Sequence, residues 1–145
     1  KIPCAVVQFI KGTWKTGERS FLENKFSKEC AFVVSGEGFT WETQDRARDI
    51  AAAKAGWEEA KKFILNPEIG FILLDEINIA LRYDYLDIDE VVEFLLTKKP
   101  PMTHVVLTGR NAKEELITAA DLVTEMSLIK HPFRDGIKAQ KGIEF

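Results

Sequence analysis

The sequence predicts an α/β fold in which helices flank a mainly parallel β-sheet. Short apolar runs rich in β-branched residues alternate with longer amphipathic segments, which is the pattern of β–α–β units. These runs are apolar throughout, as expected of parallel strands that are buried on both faces. No internal repeat or linker divides the 145 residues, so we expect one domain over residues 1–145.

The first half of the chain contains two predicted strands and two predicted helices. The strands are residues 5–10 and 31–35, with a short helix over residues 18–24 between them. A long helix is expected from about residue 44 to residue 65, because apolar side chains recur three or four positions apart. The members of this apolar face are Ile50, Ala53, Trp57, Ala60 and Ile64.

The third predicted strand, residues 71–74, runs into the acidic pair Asp75 and Glu76. A short helical segment follows. Asp87 and Glu90 then form a capping-box pattern, so we expect another helix to begin there. Its apolar face should comprise Ile88, Val91, Val92, Leu95 and Leu96.

The last third of the chain adds two more predicted strands, residues 104–108 and residues 122–126. A helix is expected between them. Asn111, with Glu114 three residues later, has the spacing of an N-terminal cap for this helix.

Charge and cysteine content narrow the functional classes. The net charge is −3 with acids and bases interleaved, which argues against a nucleic-acid partner. No apolar run approaches the roughly 18 residues that a membrane-spanning helix needs. The two cysteines, Cys4 and Cys30, form no CxxC pair. We therefore expect reduced thiols in a cytoplasmic protein that does not associate with membranes.

Candidate ligand-binding residues follow several of the predicted strands. In open α/β sheets, ligands bind beyond the carboxyl ends of the strands. A carboxylate of Asp75 or Glu76 at such an end can bind Mg²⁺ directly or through water, although Asp75 could instead cap the following helix. Arg110 follows Gly109 and suits phosphate oxygens; the alternative is a turn glycine beside a surface arginine.

The segment between the second strand and the long helix combines glycines with large aromatic side chains. Gly38, Phe39 and Trp41 are its main members. Exposed aromatic side chains are unfavourable unless something covers them, and a flat apolar ligand could do so. The alternative is that both aromatics pack into the core. His104 and His131 have no partner at metal-ligand spacing.

Several segments, in order from about Cys4 to the end of the chain, resemble the P-loop type of corrinoid adenosyltransferase. The most specific is GFTWET, residues 38–43. The others are VVQFIKG at 6–12, GER at 17–19, LDE at 74–76, YDYL at 83–86, TGR at 108–110 and KAQKGI at 138–143.

The resemblance implies a reaction and its site. A Co(I) corrinoid attacks the 5′ carbon of ATP, a Co–C bond forms, and triphosphate leaves. Glu76 would bind Mg²⁺ with Asp75 nearby. Phe39 and Trp41 would pack against the corrin and exclude its lower axial ligand, which makes Co(II) easier to reduce. Position alone makes Gly38 a binding candidate.

Charge and position make Lys11 and Arg110 candidates for contacts with phosphate or nucleotide. The resemblance also implies a P-loop NTPase, RecA-like architecture, a homodimer, and a reductase or flavoprotein as electron donor. The family's strand, GxxxxGK[ST] loop and helix, which bind the triphosphate, have no counterpart in the sequence. We expect a segment that carries this unit to precede Lys1, and the 145 residues alone to be inactive.

Two other hypotheses remain open from the sequence. One is a P-loop ATPase of related fold in which Glu76 activates water. The other is a non-catalytic module that binds nucleotide or corrinoid.

Overall fold

The computed structural model describes residues 2–10, 17–35 and 45–140. Within them, four strands form one sheet in the order β2-β1-β3-β4, and every neighbouring pair is parallel. This arrangement confirms the predicted α/β fold. The strands are β1, Cys4–Gln8; β2, Cys30–Val34; β3, Phe71–Asp75; and β4, His104–Leu107.

Helices connect the strands, and local capping explains where two of them begin. The helices are α1, Gly17–Lys25; α2, Arg46–Leu65; α3, Ile77–Arg82; α4, Ile88–Thr97; and α5, Glu114–Ala119, with a 3₁₀ turn at Pro132–Asp135. The Asp45 carboxylate accepts from the backbone N–H of Arg48 at the start of α2. Asp87 accepts from the N–H of Glu90 at 3.0 Å, which confirms the predicted cap of α4.

The core lies between the sheet and helix α2. The predicted apolar face of α2 is confirmed, because its Ala53, Trp57, Ala60 and Ile64 are buried. They pack with alternate residues of the central strands, and α2 contacts β1, β2 and β3. The buried strand residues in this cluster are Ala5, Val7, Ile72 and Leu74. This packing holds the central strands, and therefore their carboxyl ends, in fixed register.

Three local expectations were wrong. Residues 122–126 form no strand, because a β-rich run needs a neighbour to pair with and this segment lies exposed. Asn111 does not cap α5: its backbone is left-handed, with φ 56°, and Lys113 occupies the cap position without a side-chain bond. Leu96, expected on the apolar face of α4, is 63% exposed.

One edge of the sheet leaves much apolar surface uncovered in the described part of the chain. There, β4 pairs only with β3. Val106 on β4 and Phe71 on β3 are exposed despite lying in apolar strands. The segment that follows α5 exposes further large apolar side chains, among them Leu122, Met126 and Ile129. So large an uncovered surface is typical of one that another segment or chain covers.

The two cysteines are free thiols, as expected. Cys4 and Cys30 are partners in the β1–β2 register. Burial, together with the neighbouring Cys4 thiol, raises the pKa of Cys30 to about 12. Among the described residues, no helix is long and apolar enough to cross a membrane.

Candidate functional site

The carboxyl ends of β1, β3 and β4 bring polar side chains together at one edge of the sheet. Gln8 and Asp75 are register partners at the ends of β1 and β3. Thr108 directly follows β4, and its N–H donates to the carbonyl of Leu74 at 3.1 Å. The register of three buried strands therefore places these groups side by side.

Hydrogen bonds join these side chains into one network. Gln8 Nε2 donates to Asp75 Oδ2 at 3.1 Å. The Thr108 hydroxyl donates to Asp75 Oδ1 at 2.9 Å and accepts from the backbone N–H of Glu76 at 3.1 Å. Both oxygens of Asp75 are thus used to fix the end of β3. The network therefore holds the Asp75 carboxylate, one of the two predicted metal ligands, in a fixed position.

Glu76 occupies the turn between β3 and α3. Its backbone is left-handed, with φ 63°, and it is the residue that caps α3, without a side-chain capping bond. The alternative that Asp75 caps this helix is therefore wrong. A non-glycine residue in this conformation costs free energy, so it persists where surrounding contacts enforce it. Here the Thr108 hydroxyl provides one such contact.

Gly109 lies against this turn. It has φ 127°, a conformation that residues with a Cβ rarely adopt. A Cβ at Gly109 would lie 2.9 Å from the Cβ of Asn78 and 3.2 Å from Glu76 Oε2. The missing side chain thus lets the turn after β4 approach both Glu76 and Asn78.

We expect Gly109→Ala to lower the free energy of unfolding by about 2–4 kcal/mol, because a strained φ and an overlap with Asn78 add together. Urea unfolding of the complete gene product measures this. Gly17→Ala is the matched control, since no atom lies within 4 Å of the added Cβ. Equal stability of Gly109→Ala and Gly17→Ala would show that the turn yields easily and that the close approach is unimportant.

Asn78 and Gln8 are the site residues that the sequence analysis missed. Asn78 is 7% exposed, and its Oδ1 has no hydrogen-bond donor within residues 2–10, 17–35 and 45–140. Gln8 is 4% exposed. The sequence contains the same signal for both residues, a side-chain amide within an otherwise apolar run. Asn78, for example, lies between Ile77 and Ile79.

The YDYL segment anchors the first turn of α2. Arg46 donates to the backbone carbonyl of Tyr83 at 3.0 Å, and its guanidinium lies 5.5 Å from the centre of the Tyr85 ring. The Tyr83 and Tyr85 rings stack at 5.7 Å. The Tyr85 hydroxyl donates to Asp49 at 3.4 Å. This segment therefore holds the helix that follows residues 36–44 in the sequence.

A further ion pair lies beside the same segment. Lys113 Nζ is 2.7 Å from Asp84 Oδ1. The ammonium group holds the pKa of the Asp84 carboxyl below its usual range. This ion pair connects the start of α5 to the YDYL segment.

The structure places three of the seven predicted site residues. Asp75 and Glu76 lie at the carboxyl edge, and Arg110 follows Gly109 there, with an exposed side chain. The other four predicted residues fall outside the described part of the chain. They are Lys11, Gly38, Phe39 and Trp41.

The groups at this edge suit a hard cation. The described residues contain no group of three or more His, Cys, Asp or Glu side chains that could hold a metal ion. Glu76 instead contributes a carboxylate beside Gly109, and Asn78 contributes a buried amide oxygen that accepts from no described residue. Mg²⁺ prefers oxygen ligands and usually takes one or two carboxylates, with phosphate and water completing its shell. The residues therefore fit Mg²⁺ that is bound together with a phosphorylated ligand.

Comparison with known proteins gives one consistent result. The family model of the ATP:corrinoid adenosyltransferases BtuR/CobO/CobP matches residues 1–145. The chain is 67% identical over 144 residues to a corrinoid adenosyltransferase of Sinorhizobium sp, which covers 99% of the chain and 67% of that protein. It is 55% identical to that of Pseudomonas aeruginosa, with 97% and 68% covered. It is 42% identical to that of Escherichia coli K12, with 97% and 69% covered. The chain thus spans about two thirds of the length of these relatives.

Proposed function

Because this chain belongs to the family of ATP:corrinoid adenosyltransferases, we propose that it transfers the 5′-deoxyadenosyl group of ATP to the cobalt of a corrinoid. The Co(I) electron pair attacks the 5′ carbon, a Co–C bond forms, and the C–O bond to triphosphate breaks. The triphosphate leaves with the electron pair of the broken C–O bond. No side-chain nucleophile is required, so the protein's task is to position two substrates and to support charge on the leaving group.

The observation that carries this proposal is the shared carboxyl edge of β3 and β4. Glu76 and Gly109 face each other there, with Arg110 next in the chain. A carboxylate that can hold a cation, a close backbone approach and a guanidinium are the groups that a bound polyphosphate requires. The Gln8–Asp75–Thr108 network keeps the turn rigid, which suits a site that must hold two reactants in line.

Mg²⁺ is the metal that we propose for this site. Glu76 would be the protein ligand of this ion, and Asp75, next to it, would hold the turn in which Glu76 lies. When bound, the ion would neutralise charge on the triphosphate as that group departs. Arg110 and Lys11 are proposed to contact the phosphates or the nucleotide, and Gly38 to contact bound substrate.

The corrin side of the proposal rests on the segment around Phe39 and Trp41. This segment joins Ser35 to Asp45, and both flanks are anchored. The Ser35 N–H donates to the Gln8 carbonyl at 2.7 Å. Asp45 caps α2, whose first turn the YDYL segment holds through Arg46. We propose that Phe39 and Trp41 pack against the corrin and exclude its lower axial ligand.

The whole enzyme is proposed to contain a further phosphate-binding unit. We propose that an N-terminal strand, P-loop and helix cover the exposed surface of β3, β4 and the segment after α5. The exposure of apolar Phe71, Val106 and Met126 supports this proposal. We also propose that the enzyme is a cytoplasmic homodimer and that it receives electrons from a reductase or flavoprotein.

Incubating the complete gene product with ATP, Mg²⁺ and a chemically reduced corrinoid tests the proposed function. We expect adenosylated corrinoid and triphosphate in equal amounts. Free phosphate without alkylated corrinoid would instead favour a P-loop ATPase. Binding of nucleotide or corrinoid without any product would favour a non-catalytic module.

A further inference from the structure

Asn78, the second residue of α3, has a buried side-chain oxygen that accepts no hydrogen bond from the described residues. Asn78 is 7% exposed, and its Oδ1 is shielded from solvent with no donor among the residues that the structure describes. An unpaired buried amide oxygen costs about 1–3 kcal/mol. The neighbouring residues, Ile77 and Ile79, are apolar, and a leucine at position 78 would avoid this cost. The unpaired oxygen therefore points to a ligand that supplies the donor.

The groups around Asn78 restrict what that ligand can be. A Cβ added to Gly109 would lie 2.9 Å from the Asn78 Cβ and 3.2 Å from the Glu76 carboxylate, so both residues border the same place in the turn. The backbone N–H of Asn78 is already used, since it donates to the Thr108 carbonyl at 3.2 Å. The side-chain oxygens of Asn78 and Glu76 are acceptors. Asn78 Oδ1 can therefore accept from an O–H group, whereas a phosphate or carboxylate oxygen without a proton offers it no donor.

We propose that Asn78 Oδ1 accepts a hydrogen bond from an O–H group of the bound Mg²⁺–ATP. This inference rests on the proposed function and names a further substrate-binding residue for it. Two sources carry the same chemistry: a water molecule on the cation that Glu76 holds, or a hydroxyl of the ribose. Outer partners of metal-bound groups are ordinarily amide or carboxylate oxygens, and they tune the affinity for the metal.

Equilibrium binding without corrinoid tests the proposal. Dissociation constants are measured by titration calorimetry for ATP, 2′-deoxy-ATP and 3′-deoxy-ATP at several Mg²⁺ concentrations, with the complete gene product. Asn78→Leu keeps the approximate volume and removes the acceptor, and we expect it to weaken Mg²⁺–ATP binding about tenfold, the effect of one hydrogen bond. Asn78→Asp keeps an oxygen in place and should bind within about threefold of the wild type or tighter.

The two possible donors differ in which nucleotides lose affinity when Asn78 is replaced by leucine. If the donor is a metal-bound water, Asn78→Leu weakens all three nucleotides equally and raises the half-saturating Mg²⁺ concentration. If the donor is a ribose hydroxyl, the nucleotide that lacks this hydroxyl binds the wild type and Asn78→Leu equally. Asn24→Leu, on the exposed surface of α1, is the matched control and should change nothing.

Unchanged binding of every nucleotide and of Mg²⁺ by Asn78→Leu would overturn the inference and leave Asn78 a structural residue. Should Asn78→Leu not fold, Asn78→Ala removes the same oxygen without adding bulk and is judged in the same way. Because the titration contains no corrinoid, it remains interpretable if adenosyl transfer is absent. Failure of this inference and failure of the proposed function are therefore separate results.

Discussion

Replacing both Phe39 and Trp41 by alanine should lower adenosylation that starts from Co(II) by about 100-fold or more. A hundredfold loss corresponds to roughly 2.7 kcal/mol of transition-state stabilisation. The reason is that apolar side chains in place of an axial ligand ease the reduction of the cobalt, and alanine leaves room for water or that ligand to return. The same variant supplied with Co(I), already reduced, should retain its rate within about threefold. Paired assays with Co(II) plus reductant and with Co(I) measure this difference.

An aromatic pair elsewhere provides the control for this experiment. Phe21 and Phe26 lie 5.5 Å apart and are partly exposed on and after α1. Replacing both by alanine should leave the ratio of the two rates unchanged. Equal losses from Co(II) and Co(I) in the Phe39 and Trp41 variant would contradict redox tuning, and would point to simple binding of the corrin or to packing in the core. No loss with either substrate would show that neither Phe39 nor Trp41 acts in the transfer.

The second large effect is expected at Glu76. Glu76→Gln removes the charge proposed to hold Mg²⁺, so we expect kcat/KM for ATP to fall about 100-fold or more and the half-saturating Mg²⁺ concentration to rise at least about tenfold. The free energy of unfolding should change by less than about 1 kcal/mol, because glutamine has the same shape as glutamate and keeps one acceptor oxygen. Steady-state kinetics over a Mg²⁺ series and urea unfolding give the three quantities.

The neighbouring carboxylate provides a sharp contrast. Both oxygens of Asp75 accept hydrogen bonds, from Gln8 and from Thr108. An asparagine offers only one acceptor, so Asp75→Asn leaves a buried donor unpaired and should cost about 1–3 kcal/mol of stability. The opposite pattern, a stability loss in Glu76→Gln and a loss of Mg²⁺ affinity without a stability change in Asp75→Asn, would reverse the roles assigned to the two residues.

The fold could be predicted from the sequence largely because the strands are apolar and the long helix is strictly periodic. Trp57 and Ile64 recur at helical spacing and are buried as that spacing requires. Residues 122–126 show the limit of this reasoning. Their composition is that of a strand, but strand formation depends on a neighbouring edge, and that information is not local. Asn111 failed as a cap for a related reason, since capping depends on backbone dihedrals that the turn after β4 sets differently.

The candidate site was predictable only in part. Asp75 and Glu76 could be placed at the carboxyl edge because acids at a strand end are visible in the sequence, and so could the Gly109–Arg110 turn. The hydrogen bonds to Asp75 could not be predicted, because they depend on side chains that lie beside it across the sheet, 67 and 33 positions away in the chain. Asn78 was missed because a single amide in a helix carries no signal until its burial is known.

One measurement tests the central claim most directly. The complete gene product is mixed with ATP, Mg²⁺ and a Co(I) corrinoid, and the alkylated corrinoid and the triphosphate are quantified together. We predict both products in a one-to-one ratio, with little free phosphate. Phosphate release that is independent of corrinoid, with no cobalt–carbon bond formed, would contradict the assignment of this chain as an adenosyltransferase.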